Sequence, residues 1–383
     1  MNATNFSTKK TLSVIFIFTL ILVCSSCKNK TVQQPSGLKT EIIDFSSLKI
    51  IETNSFPESI IKNVSYVKLD GSFDDILFRE ISTLKIANNR IFILDALLRK
   101  LVVFDSSGKG LGKVGSQGQG PGEYLRIHDF CVNDAGDIYL KDGSGGLART
   151  CKLFAYDKDF NFISVKQLPF SANYIQHLTN DKYMFALNSF NIGDNASSQI
   201  VITNNEFETE KTYLQFDENI DDNYGFDAGT FKSFGDRILY HRTIDNYVHE
   251  FSSEGEILKS YFFDFGKKDV PNNIRKNIED NLEDFKLYHF IGNIVLINDK
   301  YIAGVLYDER IPKAFIVDRA EKCVYLMNRL DKGFHDMLLC YDNNLVSCLS
   351  PGKYEDIQSD DLPQDVMEHI SNEDFVLCLY TLR

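Results

Sequence analysis

One short β unit recurs along this chain, and no other feature narrows its fold so far. Its clearest copy begins with a strand over 82–86, a turn at Asn88-Asn89, and a second strand, Arg90-Ile91-Phe92-Ile93-Leu94-Asp95, that ends in an acid. A third strand, Leu101-Val102-Val103-Phe104-Asp105, leads through Ser106-Ser107-Gly108-Lys109 to a fourth over 111–114. The next copy repeats the order. Asp129 to Val132 precedes a turn, Ile138-Tyr139-Leu140-Lys141-Asp142 again ends in Asp, and Leu153-Phe154-Ala155-Tyr156-Asp157 matches the Val-Phe-Asp strand. Asn180-Asp181-Lys182-Tyr183 and Asn298-Asp299-Lys300-Tyr301 are the same tetrapeptide at the same place in later copies. Equivalent first turns fall near Asn88, Ala135, Asp181, Asp236, Asp299 and Asn343, a mean spacing of about 51 residues.

Repeats of four short strands at this period predict an all-β fold, a six-bladed β-propeller of four-stranded antiparallel blades. A sandwich does not repeat itself in this way. The lone strand Tyr66 to Leu69 has no hairpin partner before the first unit, and Phe375 to Tyr380 is an apolar strand near the C-terminus. Their pairing is expected to close the ring and remove its open edges. Two stretches depart from the repeat. Pro271 to Phe285 puts Ile274, Ile278, Leu282 and Phe285 on one helical stripe, and Pro363 to Ile370 is a weaker helix.

Between the two clearest copies lies Gly118-Gln119-Gly120-Pro121-Gly122-Glu123-Tyr124. Three glycines and a proline exclude a helix interior or a central strand. A phosphate cradle is disfavoured, because Pro121 has no N–H and no Lys-Ser/Thr follows. The stretch is expected to be a shaped inter-blade turn, with Glu123 accepting backbone hydrogen bonds and Tyr124 packed between blades.

With these residues in view, the chain resembles the six-bladed β-propeller lipoproteins of Bacteroidota. The repeat looks like the NHL-type blade, and Gly118 to Tyr124 matches the Gly-Gln-Gly-Pro-Gly-Glu-Tyr signature of that family. The resemblance spans about residues 60–383 and implies the fold and the envelope compartment. It implies no catalytic residue.

The N-terminus reads as an address. Lys9 and Lys10 precede an apolar run, Thr11 to Val23, too short to span a bilayer comfortably. Ser25-Ser26-Cys27 and a polar stretch follow, which resembles a bacterial lipoprotein signal with Cys27 lipidated. Cys24 stands where that pattern usually has Leu. The expected organisation is a signal peptide over 1–26, a lipid anchor and flexible tether over 27–58, and the propeller over 59–383.

The net charge is −13, and removing the first 26 residues leaves it near −15. Acidity of that size argues against a nucleic-acid partner, whose binders carry a basic footprint. The six cysteines beyond Cys27 show no CxxC or CxxH spacing and are expected as buried thiols on strands. The acidic loop Asp217, Glu218, Asp221, Asp222 and Asp227 lacks the calcium-loop pattern and reads as a solvated connection. No motif calls for a cofactor or a resident metal.

In a four-stranded blade, the loop from strand two to strand three shares a face with the connection from strand four to the next blade. That face is expected to surround one channel mouth. It carries Arg126, His128, Arg149, His241, Arg242 and Arg310 as candidate ligand-binding residues, suited to an anionic or carbohydrate-like ligand. The expected role is binding or scaffolding at the envelope, with a carbohydrate, peptide or envelope protein as ligand. The alternative is a metal-dependent hydrolase of lactonase type, or a lyase, acting across the channel.

Overall fold

A computed structural model describes residues 38–71, 74–143, 151–189, 191, 195–216, 230–243, 245–327, 337–351 and 362–383. Cys27, Arg149, the acidic loop 217–227 and the signal-peptide boundary lie outside the described residues.

Six sheets are arranged as a six-bladed β-propeller. Blade 1 comprises Thr83–Ala87, Arg90–Asp95, Lys100–Asp105 and Gly110–Lys113. Blade 2 comprises Ile127–Val132, Ile138–Asp142, Lys152–Tyr156 and Phe162–Gln167. Blade 3 comprises Ala172–Leu178, Lys182–Leu187, Ser198–Thr203 and Thr209–Gln215. Blade 4 runs Thr230–Phe234, Arg237–His241, Tyr247–Ser252 and Ile257–Asp264; blade 5 runs Phe290–Ile297, Tyr301–Asp308, Ile311–Asp318 and Cys323–Met327. Blade 6 combines Leu339–Tyr341, Asn344–Leu349 and Val376–Leu382 with Ile61–Lys68.

That last pairing closes the ring as expected: Lys68 lies opposite Val376 and Tyr66 opposite Cys378. The tether does not extend to residue 58. Thr40–Asp44 pairs in parallel with Ile257–Asp264, and Lys49–Thr53 pairs in parallel with Cys323–Met327. Blades 4 and 5 are therefore five-stranded and not wholly antiparallel. The chain becomes the outermost strand of blades 4, 5 and 6 in turn before blade 1 begins. Between the first two of these strands Phe45 enters the apolar layer, its ring 4.8 Å from that of Phe265 and 5.6 Å from that of Phe315.

The core sits between blades. Phe92, Val103, Tyr124, Phe130 and Phe154 fill the layer from blade 1 to blade 2. Leu84, Phe104, Val346 and Leu377 fill that from blade 6 to blade 1. Apolar residues on strands two and three face a neighbouring blade on both sides. This explains near-continuous runs such as Ile91-Phe92-Ile93-Leu94, buried throughout.

The first turns of blades 1, 3 and 6 are tight, and each is made by an Asn or Asp pair. Asn88 and Asn89 have φ of 50° and 58°, Asn180 and Asp181 61° and 53°, and Asp342 and Asn343 45° and 60°. Left-handed backbone at both central residues is the hairpin turn that matches strand twist, and Asn and Asp tolerate it. Pro271 to Phe285 forms two short helices, Asn272–Arg275 and Leu282–Phe285, with Ile274, Ile278 and Phe285 buried. The second insertion is the helix Gln364–Ser371, which buries Val366 and Ile370. All six cysteines after Cys27 are free, and all but the half-buried Cys348 are buried.

Candidate functional site

The loop face is fixed by the acids that end strand two. Asp95 is fully buried; its Oδ2 accepts the Arg79 N–H at 2.7 Å and the Glu80 N–H at 3.3 Å, and its Oδ1 accepts the Leu98 N–H at 2.7 Å. Asp142 accepts the N–H groups of Leu125 and Arg126 at 2.9 and 3.0 Å. In blades 1 and 2 the repeated acid thus satisfies the entering connection, where backbone donors have no sheet partner. In blade 3 Asn191 does the same for the Ser171 N–H, at 2.8 Å.

The glycine-rich turn is built in the same spirit. Gly118 donates to the Tyr124 carbonyl at 2.9 Å, and the Glu123 carboxylate accepts the Gly120 N–H at 2.7 Å. The buried Tyr156 hydroxyl donates to the Gly122 carbonyl at 2.7 Å, and Tyr124 is buried between blades 1 and 2. Gly122 has φ +74°, and a Cβ there would sit 2.7 Å from Phe162 Cγ. Pro121 is exposed at the tip. These contacts give the turn a structural role.

Among the described residues, the cations nominated from the sequence occupy different settings. Arg126 is exposed at the junction of blades 1 and 2. His128 is half-buried; burial, with Lys141 and Arg126 beside it, pushes its imidazole down to about 4. His241 and Arg242 are buried rather than displayed at the mouth. Burial and the nearby Lys232 hold His241 at about 4, and the Arg242 guanidinium lies 5.1 Å from the centre of the Phe216 ring. Arg310 is exposed and ion-paired with Glu283 of the inserted helices at 2.5 Å.

Two features of the ring were not nominated. The first is apolar. Leu77, Leu97, Leu98 and Leu125 are each 41–61% exposed, and all lie on the loop face of blade 1 or on its two junctions. On the opposite face, among the described residues, Phe162 and Tyr341 are exposed large apolar side chains at strand ends, on different blades. The second feature lies on the axis. Innermost strands present an unpaired edge there, and its carbonyls need donors. Lys85 Nζ supplies some, reaching the Phe130 carbonyl, the Ile175 carbonyl at 3.2 Å and the Asp129 carboxylate at 3.2 Å. Asp129 in turn accepts the Ile175 N–H at 2.8 Å, so this pair clasps blades 1, 2 and 3. From blade 4, Lys232 Nζ donates to the Leu338 carbonyl at 2.9 Å, at the entry to blade 6.

Around these groups lies a cavity of about 200 Å³, lined by Lys85, Asp129, Tyr174, Gln176, Lys232 and Cys340 among others. Burial and the neighbouring Lys85 depress the Lys232 ammonium to about 8, partly offset by Asp129. Burial, with Asp129, raises the Tyr174 hydroxyl to about 12. The sequence carries a signal for this site: Lys85, Asp129, Tyr174 and Lys232 are each the third residue of strand one in their blades. Among the described residues, no three His, Cys, Asp or Glu side chains form a group able to hold a metal ion. No helix of the described residues is long and apolar enough to cross a membrane.

Fold and axis together define a six-bladed propeller with a small charged cavity at its centre. The chain belongs to the family described as domain of unknown function DUF4934, whose model matches residues 43–374. It is similar in structure to a Bacteroides fragilis protein described as exported, at 19% identity and a TM-score of 0.72, covering 89% of this chain and 99% of that one. A member of the DUF4221 family from Bacteroides vulgatus aligns at 8% identity and a TM-score of 0.48, over 84% and 97% of the two chains. A Bacteroides caccae protein of unknown function aligns at 9% identity and 0.40, over 65% and 81%. Among curated proteins none matches.

Proposed function

We propose that this protein is an exported envelope lipoprotein, held to the membrane by lipid on Cys27, whose propeller is a binding module. Its loop face meets a carbohydrate, a peptide or another envelope protein. The observation that carries the reading is the leucine sector on blade 1, flanked by the exposed Arg126. Exposed large apolar side chains grouped on one sector of a surface mark recognition sites. Aromatic and carbohydrate C–H surfaces, and apolar peptide side chains, fit such a sector, while Arg126 supplies a charged donor beside it. Export of this chain is supported by its lysine-led apolar N-terminus and by the similar protein from Bacteroides fragilis that is described as exported.

Fractionation of cells expressing the full chain tests the anchor. Wild type is expected in the membrane pellet and Cys27→Ala in the soluble envelope fraction. A Cys27→Ala protein that stays in the pellet overturns the anchor at this residue.

A further inference from the structure

We propose that the axial cavity is a binding site for one small hydroxylated carboxylate, of the size of a single uronic acid, with its carboxylate on Lys232 Nζ. This site is separate from the leucine sector, so either reading stands without the other.

Three observations lead to that ligand. The first is size. About 200 Å³ is less than the roughly 300–1,000 Å³ of pockets for drug-sized ligands, so the cavity takes one small unit. The second is charge. Lys85 and Asp129 face each other at 3.2 Å and largely cancel. Lys232 remains: a lysine ammonium has three donors, and among the described residues one hydrogen bond, to the Leu338 carbonyl, engages it. A single uncompensated positive charge suits a carboxylate. A phosphate monoester brings about −1.5 to −2 and would leave buried negative charge unpaired. The third is the rest of the lining. Thr83, Tyr174, Gln176, Thr230 and Ser233 offer neutral hydroxyl and amide groups, which exchange hydrogen bonds with hydroxyls.

The pH response follows from the same groups. Those facing Lys232 are Lys85 on blade 1, Asp129 on blade 2, Tyr174 on blade 3 and His241 on its own blade. Tyr174, raised to about 12, and His241, lowered to about 4, stay neutral from neutral to moderately alkaline pH. Cys340, raised to about 12 by burial, does the same. Lys232 loses its proton as pH rises through about 8, somewhat later with an anion bound, and carboxylate affinity falls with it.

Calorimetric titration of the purified full chain with D-glucuronate and D-galacturonate tests this, with D-glucose, acetate and inorganic phosphate alongside. At least one uronate is expected to bind more tightly than about 1 mM, and each of the other three probes at least about tenfold more weakly than that uronate. Lys232→Met is expected to weaken uronate binding about ten- to a hundredfold, the loss of a hydrogen bond to a charged group. For the unaltered chain, affinity is expected to fall at least about tenfold between roughly pH 7 and pH 9.5. That pH comparison decides the matter if Lys232→Met does not fold. Uronates that bind no better than glucose, acetate or phosphate overturn the proposal. So does a folded Lys232→Met protein with parental affinity, or an affinity that does not move with pH.

Discussion

The two faces of the ring solve one problem, how to turn the chain around, in opposite ways. On one face the turns between strands one and two are minimal in blades 1, 3 and 6. Asn88-Asn89, Asn180-Asp181 and Asp342-Asn343 reverse the chain with left-handed backbone and little else. On the other face blade 5 also turns through only two residues, Glu309 and Arg310, but the connections entering blades 1, 2 and 3 are longer, and separate side chains tie them down. Asp95, Asp142 and Asn191 accept the backbone donors of the entering segments. That face also displays the four leucines of blade 1. Short turns leave no room for variation. Long connections pinned by buried carboxylates can change their outward residues while their path stays fixed. The recognition proposed above uses the pinned face, and the minimal turns give the other face its rigidity.

Removing a pin is the largest expected perturbation. Asp142→Ala leaves the Leu125 and Arg126 N–H groups without their acceptor in a part-buried site, a loss of about 2–4 kcal/mol. Asn89→Ala on the opposite face removes only the tolerance of a left-handed turn, about 1 kcal/mol. Chemical denaturation of both variants measures the contrast. Equal losses would erase the distinction between pinned and minimal connections.

The fold was legible because each structural demand left a residue-level trace. Asn and Asp pairs mark the left-handed turns of blades 1, 3 and 6, an acid ends strand two where the connections into blades 1 and 2 need an acceptor, and apolar runs mark strands buried on two sides. Ring closure could be read because one strand at each end of the domain lacked a partner. The strands Thr40–Asp44 and Lys49–Thr53 were not legible. They pair in parallel with edges far along the chain, at Ser260 and Cys323, and only Ile43, of their apolar side chains, is buried. No strong alternation therefore marks them. The site was legible only in part. Counting cations on predicted loops found Arg126 and Arg310 at the surface, but it missed that His241 ends a strand and that both it and the following Arg242 are buried. It also passed over Lys85 and Lys232, because a charged residue in the middle of a short strand reads as solvent-facing until the strand is known to line an axis.

Glycines sharpen the comparison at smaller scale. Both Gly122 and Gly235 have left-handed φ, +74° and +55°. A Cβ on Gly122 would meet the Phe162 ring, whereas one on Gly235 meets nothing within 4 Å. Gly235→Ala is expected to cost about 1 kcal/mol from backbone strain alone, and Gly122→Ala about 2–3 kcal/mol, with the clash added. Melting temperatures of the two variants give the order. A Gly235→Ala protein less stable than Gly122→Ala would deny the packed, structural role of the glycine-rich turn.

The smallest expected effect on stability carries the most weight for function. Changing Leu97, Leu98 and Leu125 together to Glu alters exposed side chains and is expected to shift stability by no more than about 0.5 kcal/mol per site. The same triple change on the outer strands, Ile42, Ile50 and Ile163 to Glu, touches equally exposed positions away from the loop face. The decisive measurement is binding of the purified full chain to an array of envelope carbohydrates and peptides, with both variants in parallel. Loop-face recognition predicts ligands that bind the parent and the outer-strand variant alike and lose the loop-face variant. An array on which the loop-face variant binds as the parent does, or on which the parent binds nothing, would contradict it.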